Sequence, residues 1–407
     1  MMTTSQKNVD RAHRLDFVLL VGVLGLMIMG LLFVYSATMA SEGAMIPAWY
    51  HQSWFKQVIW FAVGLGAATA VCVLDYHTLA RWSFVAYWLC IFTLLIVLIP
   101  HIGSVRYGAR RWIDFGPFQF QPSEFAKLAI ILAQANFLSR PVDELRLPFT
   151  FWKSIGLTVL PFLLIMKEPD LGSSLVLLPT TLALLYAAGT PARYIGQLLT
   201  VAGVCVALFV GMILFAPASW QPKMQQYQRN RLLNFFGRDY RDFAPAGATQ
   251  AQLQKIRENQ VDDAYNVRQA LIAVGSGGLT GKGWLRGRQN VLGYLPSAGK
   301  HNDFIFSVIA EERGFVGSVT VLTLYAVVLF AGIRIAGQAR DRLGRLLAVG
   351  VVALIFSHVF INIGMNIRIM PVTGVPLPLL SYGGSSVLAS LIAIGLLQNV
   401  HIYRKGY

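Results

Sequence analysis

A bundle of membrane-spanning helices is the fold class this sequence predicts, and three observations predict it. Of 407 residues, 55% are hydrophobic and only 13% are charged, a balance foreign to an ordinary water-soluble domain. The apolar residues gather in runs of about 17 to 25, the length that crosses a bilayer as helix. Polar residues break these runs at a few clustered places, where irregular backbone must be buried in protein or line a cavity.

Ten runs predict ten spans, near 16–36, 56–74, 80–100, 122–138, 153–167, 171–189, 194–216, 304–333, 344–365 and 378–400. The class is therefore all-α and polytopic, with 1–407 read as one integral membrane domain. The charged lead of Lys7, Arg11 and Arg14 precedes an apolar stretch too long for a signal-peptide core, so the first run reads as an uncleaved span. With the N-terminus inside, most short-loop cations, among them Arg81, Arg140, Arg340 and Arg404, fall on the inner side. Fewer fall outside: Lys56, Arg106, Arg110, Arg111, Lys167 and Arg368. This asymmetry predicts both termini in the cytoplasm. It leaves 217–302, between spans seven and eight, as a long extracytoplasmic loop. Within it, 224–236 and 251–274 show helical apolar spacing and read as short helices on the membrane surface, while 237–249 reads as flexible.

The net charge of +15 needs no nucleic-acid partner, because cytoplasmic loops and lipid headgroups account for basic residues in such a protein. Cys72, Cys90 and Cys205 lie in apolar runs without Cys-x-x-Cys spacing, which argues against a disulfide framework or a zinc site.

The polar clusters carry the candidate chemistry. Arg106, Arg110 and Arg111 crowd one outer loop beside Trp112, suited either to phosphate or to headgroup anchoring. Gln121, Ser123, Glu124 and Lys127 open the fourth span. The last two are three residues apart, so they either neutralise each other or mark a functional site. Glu168 and Asp170 flank a proline at a helix start, placed to cap it or to hold a cation. Gly275–Gly283 fails as a nucleotide loop, since Ser276 and Gly283 replace required residues; its turns offer amides to an anion instead. His301 and Asp303 stand where a polar loop becomes an apolar helix, and Asp303 reads as a helix cap or as a reactive carboxylate. Ser381 and Tyr382 follow a proline- and glycine-rich entry to the last span, either a kink or a cavity wall.

Taken together, Gly108–Ile113, Gln121–Lys127, Glu168–Ser174, His301–Phe306 and Pro378–Ser386 closely resemble the shape, elongation, division and sporulation (SEDS) family of bacterial peptidoglycan glycosyltransferases. The likeness runs from Asp16 to His401. Ser276–Trp284 and Val372–Pro378 favour its RodA, or elongation, branch over its FtsW, or division, branch. It implies lipid II polymerisation at the outer face of the bacterial inner membrane, Asp303 as the catalytic carboxylate and a divalent cation, Mg or Mn. It also implies a class B penicillin-binding protein and other elongation proteins as partners.

Under that reading Asp303 is the general base, and Arg110, Arg111 and Lys127 serve the diphosphate. Gln121, Ser123, Ser381 and Tyr382 orient sugars, and the metal ligands stay open. Gly314, Gly317, Gly350 and Gly364 offer a partner's span close approach. The chain departs from the family at an apparent Gly299–Lys300 insertion, at Gly293 and in a longer 237–264 stretch. A lipid flippase or transporter and a non-catalytic cell-wall scaffold are the rival classes. The flippase predicts inverted repeats, and none is visible.

Overall fold

The structure, a computed structural model, describes residues 15–39, 48–100, 102–106, 109–116, 118–215, 226–243, 249–295 and 301–404. The Gly299–Lys300 insertion and the cations Lys7, Arg11 and Arg14 lie outside the described residues.

The chain begins with α1 (Phe17–Met39), α2 (Ser53–Val73), α3 (Tyr76–Arg81) and α4 (Ser83–Leu98). A small antiparallel sheet follows, built from β1 (Gly103–Arg106), β2 (Ala109–Asp114) and β3 (Gln119–Phe120) in that order. Next come α5 (Pro122–Leu138), α6 (Val142–Leu145), α7 (Pro148–Lys167), α8 (Leu171–Ala187) and α9 (Ala192–Phe215). The long connection carries α10 (Gln226–Phe235), α11 (Gln250–Ser276) and α12 (Arg288–Val291). The last three helices are α13 (Ile305–Gln338), α14 (Arg342–Asn366) and α15 (Gly384–Ile402).

Among the described residues, seven helices are long and apolar enough to cross a membrane: α1, α2, α7, α9, α13, α14 and α15. The remaining predicted spans are α4, α5 and α8, of 16, 17 and 17 residues. At about 1.5 Å per residue they reach only about 24 to 26 Å, short of a hydrocarbon core of about 30 Å. α5 also spends its length on buried polar groups, Ser123, Glu124, Lys127 and Gln134. That polarity explains why hydropathy alone does not select it. α14 and α15 are mostly buried, with α14 against α13 and α8 and α15 along α2, whereas α9 is exposed over nearly its whole length.

Four features differ from the sequence reading. The arginine-rich loop is a sheet, with Val105 opposite Arg110 and Ser104 opposite Trp112 across a bulge. α11 is one long helix opened by a Thr249–Gln252 capping box, and it packs against α13 instead of standing apart as a surface helix. The stretch 237–243 is tied down: the Tyr240 hydroxyl donates to the Asn230 carbonyl (2.6 Å) and its amide to Gln260 Oε1 (3.1 Å). The glycines expected at a partner surface are internal. A Cβ on Gly350 would meet Ile131 and Leu184, and one on Gly364 would meet Met370.

Gly314 breaks α13 with φ of +62°, a conformation that side chains disfavour. The break frees main-chain groups on both sides, and the glycine-rich segment pairs with them. Lys282 and Gly283 amides donate to the Glu311 and Glu312 carbonyls (3.0 Å each), while Phe315 and Val316 amides donate to Gly278 and Leu279 (2.8 and 3.1 Å). A Cβ on Gly277 or Gly281 would come within 2.2 Å of that backbone, so only glycine permits the docking.

Candidate active site

Asp303 sits in the turn 301–304 ahead of α13. The helix is capped by Phe304 without a side-chain bond, so the Asp303 carboxylate is not spent on capping. Three consecutive carbonyls fix this turn. That of His301 accepts from the Tyr382 amide (2.9 Å), that of Asn302 from Ser381 Oγ (2.6 Å), and that of Asp303 from Asn362 and Asn366 Nδ2 (3.1 Å each). Asp303 Oδ2 lies 3.5 Å from where a Gly374 Cβ would stand, and Arg231 Nη1 is 3.8 Å from the same point. Gly374 has φ of +77°, so glycine both allows the bend and leaves the carboxylate uncovered.

Arg231 and Arg111 both act electrostatically on Asp303. Arg111 comes from β2 and reaches the α7–α8 turn, with Nη1 3.8 Å from Asp170 Oδ1, Nε 3.4 Å from the Glu168 carbonyl and a further bond to the Pro169 carbonyl. Arg231 comes from α10 and donates to the Val372 carbonyl (3.3 Å). The two arginines line one pocket with Pro169, Gln228, Pro371 and Val372. Arg231 is the residue that sequence reading passed over. Its signal was a cation on the inward face of an amphipathic segment, and nothing local tells such a face from a membrane-facing one.

Burial separates the three carboxylates of this region. It pushes Asp303 up from the ordinary carboxylate range, with Arg231 and Arg111 pulling part of the way back. Burial pushes Glu168 to about 9, helped by the charge of Asp170, and both Glu168 oxygens lack a hydrogen-bond partner. Burial acts on Asp170 too, yet Arg111 and the Ser173 amide outweigh it and hold that carboxyl low. Asp170 caps α8 through Ser173 (3.1 Å) and accepts from Gln121 Nε2 (3.2 Å) and Ser123 Oγ (3.4 Å).

The other expected site residues are distributed differently. Ser104 pairs with Trp112 and Val105 with Arg110, so Arg111 is the extra residue of the bulge, and it is the one whose guanidinium reaches the 168–170 turn. Glu124 and Lys127 form a buried pair (2.7 Å), and Lys127 Nζ also meets His358 Nε2 (3.0 Å). These three line a separate pocket with Pro378 and Ala389. Ser381 Oγ is committed to the Asn302 carbonyl and the Leu377 amide (2.8 Å), and Gln121 and Ser123 to Asp170, so all three hold protein instead of facing a sugar. Tyr382 lies 5.4 Å ring to ring from His301. In the glycine-rich segment the Lys282 and Gly283 amides are taken by main-chain carbonyls of α13. Leu285 and Gln289 amides bind the Glu312 and Glu311 carboxylates (3.2 and 3.0 Å), and Lys282 Nζ pairs with Glu311 (2.6 Å).

Residues 17–406 match the profile of the FtsW/RodA/SpoVE cell cycle proteins, the SEDS family. The chain belongs to this family. The SEDS relative MrdB of Escherichia coli K12, named a peptidoglycan glycosyltransferase, is 36% identical over 396 residues, covering 97% of this chain and 95% of the relative. Two solved structures are similar across 97% of this SEDS chain. One concerns a peptidoglycan synthase complex that coordinates polymerization and crosslinking (TM-score 0.71, 28% identical, 99% of that chain). The other is the rod shape determining protein RodA of Thermus thermophilus (TM-score 0.65, 27% identical, 98% of that chain).

Proposed function

We propose that this SEDS protein is a RodA-like peptidoglycan glycosyltransferase that polymerises lipid II during cell elongation. The observation that carries the reading is the convergence of one partly buried, uncapped carboxylate, Asp303, with two arginines that line a shared pocket. Polymerisation needs a base for the acceptor sugar hydroxyl and positive charge for the departing diphosphate. Asp303 takes the hydroxyl proton as that oxygen bonds to the anomeric carbon of the donor sugar. The bond from that carbon to the diphosphate breaks, and the lipid diphosphate leaves with the electron pair. Arg111 and Arg231 receive it, since guanidinium forks match phosphate oxygens. An upward shift of the Asp303 carboxyl brings its basicity closer to the working pH. Diphosphate leaves without a proton, so the pocket requires no general acid.

Among the described residues no three of His, Cys, Asp and Glu are grouped to hold a metal ion. An Mg²⁺ or Mn²⁺ ion arriving with a diphosphate needs only one or two carboxylates, and Asp303 would hold it through the oxygen that does not take the proton. Bound there, the ion would add positive charge at the leaving group.

The same proposal places ten spans in the bacterial inner membrane as one integral domain, with both termini cytoplasmic and the 217–302 connection outside. The likeness to a synthase complex supports a crosslinking partner, a class B penicillin-binding protein of the elongation machinery.

The test is Asp303→Asn, which retains size and hydrogen bonding but cannot accept a proton. Glycan polymer formed from lipid II by matched amounts of purified protein should fall by about a hundredfold to ten-thousandfold. The thermal unfolding midpoint should stay where it is. A variant that keeps most of its rate sinks the mechanism.

A further inference from the structure

Which groups place the Asp303 carboxylate is answered by α14. Asn362 and Asn366 stand one turn apart on that helix, both fully buried, and both donate to the Asp303 carbonyl (3.1 Å each). Asn362 Nδ2 also donates to the Val375 carbonyl (2.7 Å), on the segment whose Gly374 borders the Asp303 carboxylate. Asn366 Nδ2 also donates to the Asn362 carbonyl (2.9 Å) and to its Oδ1 (3.2 Å). Asn366 Oδ1 in turn accepts the Ser307 hydroxyl (2.6 Å), from the first turn of α13. The Asp303 carbonyl decides the amide orientation, because a carbonyl only accepts and so requires Nδ2 to face it.

We infer that Asn362 and Asn366 are positioning residues that hold the Asp303 backbone against the 371–378 segment and so set where its carboxylate meets the acceptor hydroxyl. The physical reason is leverage. Neither amide touches the carboxylate, yet the carbonyl they hold is two bonds from the Asp303 Cβ, and a displacement of about 1 Å at a reacting group costs about a hundredfold in rate. Substrate affinity is unaffected when Asn366 is the residue changed, because its bonds run to Asp303, Asn362 and Ser307, whereas the arginines that receive the diphosphate are held at Val372 and at the 168–170 turn. The inference rests on the reading of Asp303 as general base.

The experiment uses the purified full-length chain with lipid II, measuring kcat and KM alongside thermal unfolding. Asn366→Leu removes the donor at similar volume. Asn399→Leu is the matched control, a fully buried asparagine on α15 that donates to the Val71 carbonyl (2.5 Å) on α2, outside the site. Asn366→Leu should lower kcat about ten- to a hundredfold with KM nearly unchanged. Asn399→Leu should lower the unfolding midpoint without lowering kcat. Should Asn366→Leu not fold, Asn366→Asp retains an acceptor for Ser307 and still loses the donor, and the same fall in kcat is expected. The inference is overturned if the folded Asn366 variant retains wild-type kcat while Asp303→Asn is inactive, or if both leucine variants lose kcat alike. If Asp303→Asn is itself active, the general-base reading has failed and the positioning role goes with it.

Discussion

Replacing Lys127 by methionine removes a charge at nearly constant volume and tests what the buried pair on α5 contributes. Lys127 is 1% and Glu124 3% exposed, and the two meet at 2.7 Å. Losing the ammonium leaves a carboxylate in the protein interior and strips a partner from His358 Nε2. Breaking a buried pair from one side costs about 3–5 kcal/mol. Glu124 lies in the first turn of α5, where the helix dipole returns about 0.3–1 kcal/mol to a bare carboxylate. The expected loss is therefore about 2–5 kcal/mol, read by equilibrium unfolding in mixed micelles. Adding Glu124→Gln removes the stranded charge, so the double variant should recover at least half of the loss. A Lys127→Met protein within about 1 kcal/mol of the parent would refute the reasoning, and so would a double variant no better than the single one.

Two further outcomes follow from the site. Arg111→Ala should lower polymer formation by about a hundredfold, whereas Arg110→Ala, beside the bulge, should lower it far less; equal losses would mean that the reach of Arg111 to the 168–170 turn does not matter. Glu168 has a carboxyl raised to about 9, so it remains protonated in the folded protein while the unfolded chain ionises it above its ordinary range. The folded state is thus penalised as pH rises from about 4.5 to 9 and unpenalised below that window. Glu168→Gln should accordingly raise the unfolding midpoint at pH 8 and leave it unchanged at pH 4, which a pair of melting curves would check.

Local composition by itself determined the membrane class and the places where polar chemistry interrupts it. An apolar run long enough to cross a bilayer is a property of consecutive residues, and so is a proline- and glycine-rich break such as 371–386. Asp303 was legible on the same terms, as a carboxylate at the edge of an apolar helix. Its neighbours were not. Arg111 reaches Asp170 across 59 positions, Arg231 reaches Val372 across 141, and Asn366 reaches Asp303 across 63, distances at which one sequence holds no pairing signal. Arg111 was set apart from Arg110 only once 103–114 proved to be a hairpin with a bulge at Arg111. The glycine-rich loop shows the limit most plainly. Its amides suited any anion, and only the break of α13 at Gly314 determined that two of them, those of Lys282 and Gly283, would go to the Glu311 and Glu312 carbonyls. Hydropathy acts along the chain, whereas hydrogen bonds and ion pairs are chosen among groups that packing brings together, and that choice belongs to the tertiary structure.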